Sequence, residues 1–284
     1  MGFHTKPATF VGHVKIKVEK LERSLKFYQE ILGFGVLEQT TTTAMLTTDG
    51  KTSFLSLEQP ENVIPKQGRT TGLFHFAILL PKRSDLANIV IHFRENGIRL
   101  MAAEDHQVSE ALYLNDPEGN GIEIYVDRDP SSWIWKDTEV DMTTIPLNMR
   151  NLLSSLVPGE SWKGMPEGAV MGHIHLHVTE LVQTEEFYGK GLGFDVVNRY
   201  KEEALFLSTE KYHHHVAVNI WNGIGAPTPP ENSVGLESFT LILPNEEARL
   251  QVVTNLKQIG AFVKEENNLF VTHDPSGNRI KLAI

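Results

Sequence analysis

The chain of 284 residues contains no cysteine. Disulfides, thiolate metal ligands and a cysteine nucleophile are therefore excluded, while the redox compartment stays open. No run approaches the roughly 20 consecutive apolar residues that a membrane-crossing helix requires. Positive charge is in deficit, with 26 Lys and Arg against 36 Asp and Glu, a formal net charge of −10. That balance argues against nucleic acid or an anionic membrane as partner. Met1 to Lys6 has no apolar signal core, and Lys6 stands where a myristoylation motif wants Ser or Thr. A cytoplasmic protein is the expectation. Also missing are the phosphate-binding glycine loop, the dinucleotide fingerprint, the Gly-x-Ser-x-Gly elbow and His-Glu-x-x-His.

What is present is a block written twice. Gly12-His13 recurs as Gly172-His173, Phe27-Tyr28 as Phe187-Tyr188, and Leu32-Gly33-Phe34 as Leu192-Gly193-Phe194, always at an offset of 160. A gapless repeat of this length is a duplicated supersecondary unit. Val11 to Val18 alternates His13, Lys15, Lys17 with Val14, Ile16, Val18, the period of a strand with one buried face. Leu21, Leu25, Tyr28 and Leu32 recur at helical spacing, and Gly33 ends that helix. Short strand-like runs follow near Val36, at Ala44–Leu46 and at Ser53–Leu57.

A related unit begins at Gly72. It reads as a strand over Leu73–Leu80, a helix over Ser84–Asn96 closed by Gly97, and strands at Ala111–Leu114 and Gly121–Val126. Between the last two lies the turn Asp116-Pro117-Glu118-Gly119-Asn120, which returns as Asp274-Pro275-Ser276-Gly277-Asn278. Four modules in two similar halves result. Residues 1–127 are expected to form one two-module domain and residues 169–284 the other. Residues 128–168 match neither pattern and carry Trp133, Trp135, Trp162 and a helical-looking Leu147–Leu156, so an ordered linker is expected.

Chemistry rests on histidine. His13 and His75 lie on the first strands of modules one and two, and Glu123 lies on the last strand of module two. Each is on the face opposite its strand's apolar residues. A mid-strand carboxylate is costly unless it is paired or bound to a cation. Two histidines and one carboxylate with open positions form the facial set of non-heme Fe(II) sites. Two hydrogen-bonded strand histidines and a half-exposed glutamate account for the same pattern equally well.

The Gly-His, Phe-Tyr and Leu-Gly-Phe headers, together with the two Asp-Pro-x-Gly-Asn turns, resemble the vicinal oxygen chelate superfamily. That superfamily comprises glyoxalase I, the bleomycin and fosfomycin resistance proteins and the type I extradiol dioxygenases. The resemblance covers nearly the whole chain outside the linker, and four modules look most like a catechol 2,3-dioxygenase branch. It implies an α+β fold of four βαβββ modules paired into two half-open β-barrel domains. It further implies a metal on His13, His75 and Glu123, Fe(2+) or Mn(2+), and cleavage of an aromatic catechol by O2. Beside that metal, His106 would be the acid-base residue and Tyr113 the hydrogen-bond donor. Family habit favours a homo-oligomer. Glyoxalase-like isomerases or thiol transferases of the same fold take a further ligand, for which Glu58 is the candidate. A metal-free binding protein is the third reading.

In the second half His173 matches His13, but Ser238 matches His75 and Lys281 matches Glu123. No equivalent metal set is expected there. His173, His175 and His177 share one strand face, and His213, His214 and His215 precede another strand. These six read either as solvated histidines of a polar barrel interior or as a second metal or substrate site. The His-His-x-x-Ala wording at 213–217 also resembles the family's acid-base histidine.

Overall fold

The computed structural model describes residues 2–284. Module one contains β1 (Phe10–Lys17), α1 (Leu21–Lys26), β2 (Gly35–Gln39), β3 (Thr43–Thr47) and β4 (Leu55–Glu58). Module two contains β5 (Gly72–Leu79), α2 (Arg83–Glu95), β6 (Ala102–Asp105), β7 (Ser109–Asn115) and β8 (Gly121–Asp127). The linker carries β9 (Trp135–Lys136), β10 (Glu139–Val140), β11 (Ile145–Pro146) and α3 (Met149–Leu153). Module three runs through β12 (Val170–His177), α4 (Val182–Glu186), β13 (Asp195–Tyr200), β14 (Ala204–Ser208) and β15 (Val216–Asn219). Module four has β16 (Gly235–Ile242), α5 (Glu246–Gln258), β17 (Val263–Glu266), β18 (Leu269–His273) and β19 (Arg279–Ala283). Among the described residues no helix is long and apolar enough to cross a membrane.

The repeated motifs turn out to bond to each other. α1 and α4 each continue as a π-helical turn, Phe27–Ile31 and Phe187–Gly191. From these turns Tyr28 Oη donates to Asp116 Oδ2 at 3.0 Å, and Tyr188 Oη to Asp274 Oδ2 at 3.1 Å. The aspartate's other oxygen accepts backbone N–H groups of its own turn, at Glu118 and Asn120 in one copy and Ser276 and Asn278 in the other. Each Phe-Tyr header therefore anchors the Asp-Pro-x-Gly-Asn turn of the next module. Gly33 follows with φ +72°, and a Cβ there would lie 2.3 Å from the Gly164 Cα, so only glycine lets the linker pass.

The strands form two curled half-barrel sheets, as the four-module reading implies. Their membership departs from the expected division at 127/169. β1 pairs antiparallel with β16, joining modules one and four in the order β17-β18-β19-β16-β1-β4-β3-β2. β5 pairs antiparallel with β12, joining modules two and three in the order β11-β6-β7-β8-β5-β12-β15-β14-β13. On the polar side of the eight-stranded sheet Lys15 pairs with Glu58 at 2.5 Å within module one, and Arg279 with both Glu237 and Glu266 at 2.5 Å within module four. The apolar faces of both sheets and the helices share one continuous core, with Val14, Ile16, Phe76, Ile174, Leu176 and Phe239 fully buried within it.

The linker is ordered and straps the nine-stranded sheet. At one edge β11 pairs with β6, and at the other Asn198 Nδ2 donates to the Val140 carbonyl at 2.9 Å. Between them Trp133 and Val140 pack with Val108, Val197, Tyr212 and Phe3 as a second, smaller apolar cluster. The expected helix at 147–156 is shorter, Met149–Leu153, capped by the Asn148 side chain on the Asn151 N–H.

Candidate metal centre

Strand register assembles the centre. Across β12, β5 and β8 the residues His173, Ala77 and Glu123 stand side by side in one row, and Tyr113 of β7 is the next neighbour of Glu123. His75 lies two positions before Ala77, on the same face. Ala77, the smallest side chain of the row, lies between His173 and Glu123. His75 Nε2 and His173 Nε2 each lie 3.1 Å from Glu123 Oε2, and all three side chains are buried. At a bulge in β12, Gly172 admits Tyr125, whose hydroxyl would sit 2.0 Å from any Cβ there.

The protonation states suit a cation. Burial alone would raise the Glu123 carboxyl, but the charges and hydrogen bonds of His173 and His75 outweigh it and hold it well below the usual carboxylate range. Burial lowers His173 to about 4, with Glu123 opposing. At neutral pH the pair is a carboxylate beside a neutral imidazole, the forms that ligate metals. His75 Nε2 is buried with no hydrogen-bond partner among the described residues, although a carboxylate oxygen is 3.1 Å away. An orphaned ligand atom aimed at two others, in a set of two nitrogens and one oxygen, fits a divalent ion such as iron or manganese.

The pseudo-twofold relating β5–β8 to β12–β15 identifies the fourth corner. His75, then Ala77, then its partner Glu123 corresponds to His173, then His175, then its partner Ala217. A methyl group stands where a second carboxylate would be, so one quadrant offers no protein ligand.

The sequence-derived residues fall into two groups. His75 and Glu123 come together. His13 does not join them: it lies in the other sheet, opposite Thr240, with Nε2 2.8 Å from Ser56 Oγ. Burial first, then the charges of Lys281 and Lys15, lower it to about 4. Its place is taken by His173, the identical residue of the second header. The flanking residues carried the signal, since His13 shares a face with two lysines and His173 with two histidines. Glu58, the candidate for a further ligand, is also in the other sheet, on Lys15.

Of the other five histidines on these two segments, His175, His213, His214 and His215 are buried and His177 is half-buried, and all five are hydrogen-bonded. His175 Nε2 accepts from Asn219 Nδ2 at 2.9 Å, and His177 Nδ1 donates to Asn219 Oδ1 at 2.7 Å. His214 lies against the centre, its ring centroid 4.0 Å from that of His173. On the opposite side, Tyr113 Oη and His106 Nε2 are 2.7 Å apart, and His106 Nδ1 donates to the Thr143 carbonyl of the linker at 2.8 Å. Burial and then the Glu123 charge push the Tyr113 phenol well above its ordinary range, so it keeps its proton.

Known proteins align with this architecture. Residues 10–124 match the model of the Glyoxalase/Bleomycin resistance protein/Dioxygenase superfamily. A catechol-2,3-dioxygenase of Bacillus subtilis is 43% identical over 281 residues, covering 97% of this chain and 98% of that protein. Biphenyl-2,3-diol 1,2-dioxygenase 3 of Rhodococcus globerulus is 29% identical over 120 residues, covering 42% and 63% respectively. Among solved structures, glyoxalase I of Zea mays shares the fold with a TM-score of 0.59 at 15% identity, over 96% of this chain and 92% of that one. The chain thus belongs to the glyoxalase/bleomycin resistance protein/dioxygenase superfamily and is a catechol 2,3-dioxygenase-like enzyme within it.

Proposed function

We propose that this chain cleaves catechols beside their two hydroxyls with O2, using Fe(II), or Mn(II) on the same ligands, held by His75, Glu123 and His173. The carrying observation is the buried, orphaned His75 Nε2 converging with Glu123 and His173. The full-length likeness to a catechol-2,3-dioxygenase supports the same reading. Bound there, the ion would supply positive charge for two adjacent phenolic oxygens and a place for O2.

The protein's own groups divide the remaining work. His214 is buried beside His173, and its Nε2 has no partner among the described residues, so it is the imidazole free to take a catechol proton. Both nitrogens of His106 are engaged, by Tyr113 and by Thr143 or Thr144, so the acid-base role expected of His106 passes to His214. Tyr113 keeps its proton, stands next to Glu123 in the row and donates to His106 Nε2, so its hydroxyl would turn from that nitrogen to donate to a developing oxygen anion. His106 then positions Tyr113.

The test is oxygen uptake with catechol after anaerobic Fe(II) loading, with the product identified as catechol plus one O2. His173→Ala should lose both metal and uptake, and His13→Ala should keep both. No uptake across several catechols by protein that does hold iron would overturn the reading.

A further inference from the structure

His213 and Asp127 lie behind His214, outside the candidate metal centre. His213 is fully buried, its ring tilted 35° against that of Tyr212 with centroids 4.0 Å apart and walled by Trp133 at 5.2 Å. Its two nitrogens are both spoken for: Nε2 is 2.8 Å from Asp127 Oδ1, and Nδ1 is 2.8 Å from His214 Nδ1. The same Asp127 oxygen also accepts from Tyr212 Oη at 3.3 Å, and Tyr125 Oη lies 2.7 Å from that hydroxyl.

These contacts allow one arrangement of protons in neutral rings. A carboxylate oxygen only accepts, so His213 carries its proton on Nε2. Its Nδ1 is then a bare lone pair and must accept. The donor across 2.8 Å is then Nδ1–H of His214. With its one proton held on Nδ1, His214 presents an unprotonated Nε2.

We propose that Asp127 and His213 are positioning residues which set the tautomer of His214, so that its Nε2 is a lone-pair acceptor before substrate arrives. The proposal rests on the reading of His214 as the base. It supplies what that reading lacks, a reason for the proton to sit on the far nitrogen. Without Asp127, His213 could carry its proton on Nδ1 and donate to His214 Nδ1. His214 would then hold its proton on Nε2 and have nothing to accept with. A serine protease loses about 10⁴-fold in turnover when a carboxylate that sets the tautomer of its histidine is replaced by an amide.

The decisive measurement is nitrogen-15 NMR of histidine in the metal-free protein, with His214 assigned by a His214→Gln variant. The expected result is one tautomer of His214, protonated on Nδ1, with Nε2 bare. A proton on Nε2 in the unmutated protein would overturn the proposal whatever any variant does. In Asp127→Ala the His214 signals should move toward the opposite tautomer, with metal content unchanged and kcat falling at least tenfold more than KM changes. Loss of metal with the tautomer unmoved would reduce Asp127 to a structural role and also overturn it. Because the NMR needs neither metal nor substrate, a protein that opens no catechol still decides it, while the dioxygenase reading falls separately.

Discussion

His173 and Ala77 face each other across the β12–β5 pair, and Glu123 continues the same row on the far side of Ala77. The small residue between His173 and Glu123 is as much a part of the candidate centre as those two side chains are. Ala77→Leu should fill the space in which the three ligand atoms converge, abolishing metal retention while costing about 1–3 kcal/mol of stability through overpacking. Ala77→Gly should retain the metal. Metal analysis beside a urea melt checks both, and a leucine variant that still holds a full equivalent of metal would show that the site lies elsewhere.

The fold was legible because its signals are local. Alternation marks β1, β5 and β8, helical spacing marks α1 and α2, and the Asp-Pro-x-Gly-Asn turns mark what precedes β8 and β19. Strand β6 was not legible, because Ala102-Ala103-Glu104-Asp105 does not alternate and is a strand only by pairing with β7. His75 and Glu123 were found from their positions on strand faces. His173 was missed because strand pairing between modules is a long-range property. Sequence order suggests sequential neighbours as partners, whereas the tyrosine–aspartate contacts link modules one to two and three to four while the sheets link one to four and two to three. Lys15 and Lys17 beside His13 were the available warning, since ammonium groups repel a bound cation.

Acid should destabilise this protein earlier than its carboxylates alone would. His13 is lowered to about 4, and His4 and His215 are also lowered, burial being the largest cause in each. In the unfolded chain the same groups bind protons near 6.5. The unfolded state therefore holds more protons as pH falls below about 6.5, and stability present above that value is lost on the way to the folded pKa. Each such histidine adds a slope of up to about 1.4 kcal/mol per pH unit. Urea midpoints of the metal-free protein should drop steeply over that interval, and His13→Gln should make the fall shallower by about one proton. An unchanged slope in that variant would mean that His13 titrates normally.

Tyr28→Phe and Tyr188→Phe should each cost about 1–2 kcal/mol, because each removes a donor from a buried aspartate that keeps its turn bonds. The two pairs share no partner, so the double variant should lose the sum of the two. Metal content should not change in either, since neither tyrosine approaches the centre. Denaturant unfolding of the three variants measures this, and a double variant as stable as the parent would mean that the tyrosines only fill volume.

The eight-stranded sheet contains the frame of a second centre with the wrong side chains. Its row His13, Thr240, Lys281 reproduces His173, Ala77, Glu123 strand for strand, and Ser238 stands two positions before Thr240 as His75 does before Ala77. Lys281 Nζ, 3.5 Å from Glu237, puts an ammonium where the other sheet has its carboxylate. Combining Ser238→His, Thr240→Ala and Lys281→Glu with Lys15→His should therefore raise bound Co(II) from one equivalent per chain to two. Lys281→Glu alone should leave it at one, because His13 with a single carboxylate offers only two ligands. Should the fourfold variant fold, by circular dichroism, yet still bind one equivalent, the internal symmetry would be one of backbone alone. The position of the metal would then depend on groups outside these rows.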